Sequence, residues 1–208
     1  MKPSPGMFDD VARWLGVTIT PHQRALLIEF EGWLGAEAIR SGGIGPREID
    51  RLWDRHILDS FAYIRGIPAD ATTIVDVGGG VGLPAIPLAI ARPDLTCLLV
   101  DRSERRVWSA RRAIRILELD NIEVAWQDID TMQGVFDVAT FRASLPMTRA
   151  AVVTKQLIDR SGVGLFGVSR REQQPDVPSA PDGISFALSS EGAGVLDTPF
   201  WLLRMTLS

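Results

Sequence analysis

A chain of 208 residues with 46% hydrophobic and 23% charged residues is long enough for one sizeable core and has the composition of a soluble globular protein. Its formal net charge of −4 carries no global nucleic-acid signature, although a local basic patch is compatible with it. The longest apolar run is broken by Pro84 and Pro87, "MKPSPGMFDDVARW" lacks the apolar core of a secretory signal, and the single cysteine, Cys97, reads as a buried thiol, so the expectation is a cytoplasmic protein without membrane contact.

From about Met7 to Tyr63 the pattern is helical. "DDVARWLG" stops at Gly16. Thr20 is placed to cap "PHQRALLIEFEGWLGAEAIR", with Pro21 where a first turn tolerates it. "SGGIG", Ser41 to Gly45, is a flexible break. In "PREIDRLWDRHILDSFAYIRG", Ile49, Leu52, Trp53, Ile57, Phe61 and Ile64 fall near helical spacing, which predicts one amphipathic helix.

After Pro68 the pattern changes. "TTIVDV" is a short continuous apolar run suited to a central parallel strand. A helix in "LPAIPLAIAR", a strand in "DLTCLLVD" and a helix in "SERRVWSARRAIRILEL" capped by Ser103 follow. Then come strands in "NIEVAWQ" and "VFDVATF", a helix in "MTRAAVVTKQLIDRSG" ending at Gly162, and a strand in "VGLFGV". "SRREQQPDVPSAPDG" is a polar loop, and "ISFALSS" with "PFWLLRMTLS" makes a closing hairpin. Strands alternating with helices predict a Rossmann-like α/β fold with a doubly wound, mostly parallel sheet. The expected organisation is a helical extension, residues 1–66, on one α/β unit, residues 67–208. A monomer is favoured, with the oligomeric state left open.

Ligands of such sheets lie beyond the carboxyl ends of the strands, where Asp76, Gly78, Gly80 and Gly82 fall. The dinucleotide pattern G-x-G-x-x-G fails here because Leu83 stands at its third glycine, and no Walker lysine or serine follows the loop. An acid opening D-x-G-x-G-x-G suits S-adenosylmethionine, which carries an ammonium and a sulfonium and no phosphate. Asp101, at the end of the next strand, is placed to accept both ribose hydroxyls of an adenosine. The bland alternative is a tight glycine turn with two helix-capping acids.

Longer words now carry a resemblance: "RHILDS" (Arg55 to Ser60), "IVDVGGGVGLPAIPLAIARPDL", "LLVDRSERRV", "NIEV" and "FRA", over roughly residues 50 to 145. In that order the chain resembles the ribosomal RNA small subunit methyltransferase G family (RsmG, also called GidB). The resemblance implies the class I S-adenosylmethionine-dependent methyltransferase fold and methyl transfer to N7 of a guanine in 16S ribosomal RNA. It implies cofactor contacts at Gly78 and Leu83, Ile129 and Asp130 beside the adenine, and Arg142 near the reaction centre. His56 or Asp59, in "RHILDS", is expected to line the cofactor pocket. The chain departs from the family in "AEAIRSGGIGPREID", in "LFGVSR", which lacks the family's lysine, and in a C-terminus whose basic segment is reduced to Arg204; these departures fall where RNA would be held.

Arg102, Arg105, Arg106, Arg111, Arg112 and Arg115 form either a phosphate-tracking stripe or a solvated face paired with Glu104 and Glu118. The six tryptophans are expected mostly as core or interface filler, with Trp126 as an exception beside the adenine, and His22 on the surface. No Ser-His-Asp or metal-ligand spacing is visible. Competing readings are a paralogue methylating a small molecule or another RNA, a non-catalytic cofactor-binding module and, more distantly, a nucleotide-dependent oxidoreductase.

Overall fold

The computed structural model describes residues 3–208; Met1 and Lys2, the first residues of the expected extension, lie outside them. Helix α1 (Pro5–Leu15) starts at a Ser4 side chain that accepts from the Met7 amide, and it ends at Gly16 in the left-handed region. Helix α2 (Pro21–Trp33) has the reciprocal Thr20–Gln23 capping box. A π-turn, Leu34–Ala38, continues it.

The single helix expected over residues 46–66 is instead four short pieces: a 3₁₀ turn (Pro46–Arg51), a π-turn (Trp53–Ile57), α3 (Leu58–Ala62) and a 3₁₀ turn (Tyr63–Gly66). The change of winding rotates Ile49 into solvent, 53% exposed, while Leu52, Trp53, Ile57, Phe61 and Ile64 stay buried. The π-turn also leaves carbonyls to outside donors: Asp54 O accepts from Arg170 and Arg55 O from Arg142.

The strands are β1 (Thr73–Val77), β2 (Thr96–Asp101), β3 (Ile122–Trp126), β4 (Phe136–Arg142), β5 (Ile158–Arg170), β6 (Ile184–Glu191) and β7 (Phe200–Leu207). They form one sheet of order β3-β2-β1-β4-β5-β7-β6, parallel through β5, with β7 and β6 antiparallel as the expected hairpin. Chain order reverses between β1 and β4, which opens a crevice at their carboxyl ends. The connecting helices are α4 (Ala85–Ala91), α5 (Glu104–Ile116) and α6 (Met147–Leu157).

Two apolar clusters sandwich the sheet. One joins Ile74, Cys97 and Leu99 to α1–α5; the other joins Val75, Val77 and Phe141 to α6 and β7. The N-terminal helices thus share a core with the sheet, and Gln23 Nε2 donates to the Ile90 carbonyl at 2.7 Å.

Helix α6 ends at Leu157, five residues before the expected Gly162. Ile158 already pairs with Phe136, and Asp159 Oδ1 accepts from the amides of Ser161 and Gly162, folding the intervening residues into a bulge. Ser103 sits at the start of α5 without a side-chain cap; the Asp101 carboxylate accepts from its amide instead. No helix among the described residues is long and apolar enough to cross a membrane.

Candidate active site

Beyond β1, β2 and β4 lies a cavity of about 750 Å³. Gly78, Gly80, Leu83, Asp101, Ile129, Asp130, Arg142 and His56 all line it, so eight residues singled out between positions 56 and 142 of the sequence meet around one cavity. Gly80 has φ +58°, and a Cβ there would meet nothing nearer than Arg106 Cδ at 3.8 Å. The space it faces is free for a ligand.

Two expected site residues, Asp76 and Gly82, do not line the cavity. Asp76 is turned under the loop, toward α4, because alternation along β1 puts it on the face opposite Val75 and Val77. Its carboxylate accepts from the amide of Ala85, the first residue of α4, at 3.2 Å and from Thr140 Oγ1 at 3.0 Å. It therefore pins the loop and the helix N-terminus from below. Burial raises its pKa to about 7, against the lowering effect of those two donors. Gly82, φ +104°, is held by packing: a Cβ there would strike Ile86.

Asp101 is 4% exposed. Its Oδ2 accepts from the Gly80 amide at 3.1 Å and its Oδ1 from the Ser103 amide at 2.8 Å, with Arg106 Nη1 3.8 Å away. One carboxylate thus ties the glycine loop to the start of α5, and each oxygen keeps acceptor capacity.

On the opposite side, Arg142 Nη2 donates to Arg55 O and to His56 Nδ1, both at 2.9 Å. A guanidinium cannot accept, so Nδ1 is the acceptor and Nε2 carries the proton. Nε2 lies 3.3 Å from Glu48 Oε2 without hydrogen-bonding geometry. Burial, then the Arg142 charge, lowers the His56 pKa to about 4 against the raising effect of Glu48. The imidazole is neutral at pH 7. Asp59, the alternative in "RHILDS", faces away from the cavity and pairs with Arg170.

The sequence reading missed several wall residues. Gly43, Ile44 and Gly45, expected as a flexible break, line the cavity mouth; the Gly43 and Ile44 amides both donate to Ala38 O. Ser144 follows Ala143, which has φ 51°, and its hydroxyl is buried on the wall with no partner among the described residues. Asp130 is joined to Arg149 of α6 across the mouth. Arg170 at the end of β5, 5% exposed in its side chain, binds Asp54, Asp59 and Asp197. Trp126 is 58% exposed; its indole donates to Arg102 O at 3.1 Å. Trp108 is also exposed and so is not core filler, and no cluster of acidic, histidine or cysteine side chains among the described residues has a metal-holding arrangement.

The family model GidB, described as rRNA small subunit methyltransferase G, matches residues 26–174. The chain belongs to this family. The match runs beyond the words recognisable in the sequence and includes two of its departures, at residues 36–50 and 165–170. Proteins named ribosomal RNA small subunit methyltransferase G are 39% identical in Salinispora arenicola, over 86% of this chain and 80% of that one, and 37% identical in Beutenbergia cavernae, over 82% and 81%. The Acidothermus cellulolyticus relative is 37% identical over 66% of this chain and 62% of its own length. Among solved structures, MtNAS in complex with MTA and tNA superposes with TM-score 0.57 at 16% identity, over 97% of this chain and 81% of that one. A SAM dependent methyltransferase from Aquifex aeolicus gives 0.50 at 14%, over 86% and 98%. The fold is that of the class I methyltransferases.

Proposed function

We propose that this member of the family is an S-adenosylmethionine-dependent methyltransferase that modifies small-subunit ribosomal RNA at N7 of a guanine. One observation carries the reading: a single cavity holds the Gly78–Gly80 backbone and the Asp101 carboxylate on one side and Arg142 on the other. The wall fits the cofactor. Asp101 offers acceptors to a ribose diol, Leu83 and Ile129 offer apolar surface to an adenine, and the unpartnered Ser144 hydroxyl offers a polar contact. When bound, the cofactor supplies an electrophilic methyl group.

The rest is the work of the chain. Guanine N7 carries a free lone pair at neutral pH, so no general base is required, and catalysis rests on positioning. His56 is suited to that: its Nδ1 is engaged by Arg142, and it orients the guanidinium rather than moving a proton. With Nη2 occupied, Arg142 keeps the N–H groups of Nε and Nη1 for a carboxylate, a phosphate or the O6 edge of guanine. Residues 1–66 bring Gly43, Ile44, Gly45, Glu48 and His56 to a cavity otherwise lined by residues 67–208. An enzyme acting on ribosomal RNA works in the cytoplasm.

Arg142→Ala should reduce methyl transfer to ribosomal RNA by on the order of 10²-fold, the effect of misplacing a reacting group, with little change in melting temperature. Arg142→Lys should rescue poorly, because charge returns without the planar fork. Equal transfer by wild type and Arg142→Ala overturns the assignment.

A further inference from the structure

The exposed face of α5 is unusual in what it presents to water. Trp108 is 63% exposed, and arginines stand around it on the helix surface: Arg105 at i−3, Arg111 at i+3, Arg112 at i+4 and Arg115 at i+7. Arg111 is fixed between two elements. Its guanidinium carbon lies 5.9 Å from the Trp108 ring centroid, and its Nη2 donates to the Val124 carbonyl of β3 at 2.8 Å. Two residues along β3 stands the second exposed indole, Trp126, tied by its N–H to the carbonyl of Arg102. Arg102 itself lines the cofactor cavity, so the surface runs on to the rim of the site.

The arginines are not neutralised by the acids beside them in sequence. Among the described residues neither Glu104 nor Glu118 pairs with them, Arg112 meets Glu37 only at 3.9 Å, and Arg105 and Arg115 form no ion pair. Two indoles held open in a field of unneutralised guanidinium groups complement a chain that offers flat π-faces and regularly spaced anions together. An apolar protein partner would cover the indoles and leave the arginines desolvated, whereas an acidic protein would leave the indole faces without a stacking partner. Single-stranded RNA satisfies both, because its bases are free to stack and its phosphates are exposed.

We infer that α5 and the end of β3 dock the single-stranded RNA that flanks the methylated nucleotide, with a base stacked on Trp108 and phosphates on Arg112 and Arg115. The inference rests on the reading of the protein as an RNA methyltransferase, and its test separates the two. Anisotropy of a fluorescein-labelled oligouridine of about 12 nucleotides measures docking alone. Wild type should bind it with an affinity that falls linearly with salt on logarithmic axes. Trp108→Ala should bind about ten-fold or more weakly, the usual effect of losing one stacked base, and Trp108→Phe should retain most of the affinity. The double variant Arg112→Ala, Arg115→Ala should lower the salt slope by about 1.4, two phosphate contacts on a single strand. All three side chains are exposed, so melting temperature and cofactor affinity should stay at wild-type values. Failure of wild type to bind, or binding by Trp108→Ala with unchanged affinity, overturns the docking face even if ribosomal RNA is methylated. Binding that follows the predicted pattern while ribosomal RNA receives no methyl supports the face and overturns the functional reading instead.

Discussion

Removing the Asp101 carboxylate separates its two roles. In Asp101→Ala the amides of Gly80 and Ser103 lose their acceptor, and Arg106 loses its neighbouring charge. Each unpaired amide costs about 1–3 kcal/mol if it stays dry; both are partly buried, so water recovers part of this and a total near 2–3 kcal/mol is expected. For a chain of this size that is a fall in melting temperature of about 5–10 °C. Cofactor affinity should fall separately, by about 1–3 kcal/mol for the lost ribose acceptor, or about 5- to 150-fold. Asp101→Asn keeps one acceptor oxygen and should lie between. Thermal melts without ligand read the first effect and titration calorimetry with S-adenosylmethionine reads the second. A destabilised variant with wild-type affinity would show that Asp101 only braces the loop and α5, and the ribose assignment would be wrong.

Gly80→Ala should cost about 1–2 kcal/mol of stability for its φ of +58° and weaken cofactor binding, and Gly80→Val should abolish binding in a folded protein; calorimetry and melting distinguish these effects. Gly79→Ala should lower the melting temperature more than Gly80→Ala, because its Cβ would strike the Asp76 carboxylate and lie 2.9 Å from Leu99 Cγ. Arg170→Met leaves the buried Asp59 without its cation, while Asp54 keeps Arg55, and should cost about 3–5 kcal/mol, seen as a melting drop of about 10 °C; a change under about 2 °C would contradict the buried pair. Between pH 6.5 and 4 the unfolded chain protonates His56 while the folded one does not, so this residue makes stability fall as pH drops through that window. His56→Gln should remove up to roughly 3 kcal/mol of that dependence in denaturant titrations run at several pH values, and an unchanged profile would contradict a neutral, buried imidazole.

The sheet up to β4 was legible because its signals are local: continuous apolar runs, a glycine loop and an aspartate near the carboxyl end of both β1 and β2. Position within the site was less so. Asp76 and Asp101 look alike in sequence, and only the alternation along β1 sends one under the loop and leaves the other on the wall. The boundary between α6 and β5 was hidden because "LIDRSG" continues the helical pattern, and a carboxylate–amide turn at Asp159 overrides it. The site's support is long-range: Arg170 bonds residues 111 and 116 positions away, and nothing near it in the chain announces them. Asp54 and Asp59 flank "RHIL" at a spacing that α-helical winding would turn to different sides, and only in the wider π-turn do both reach Arg170.

The central claim is that the cavity serves methyl transfer to ribosomal RNA. The direct measurement is transfer of labelled methyl from S-adenosylmethionine to small-subunit ribosomal RNA lacking the modification, followed by nucleoside analysis. The account predicts label in 7-methylguanosine at one position. Tight cofactor binding with no label in any RNA would contradict it.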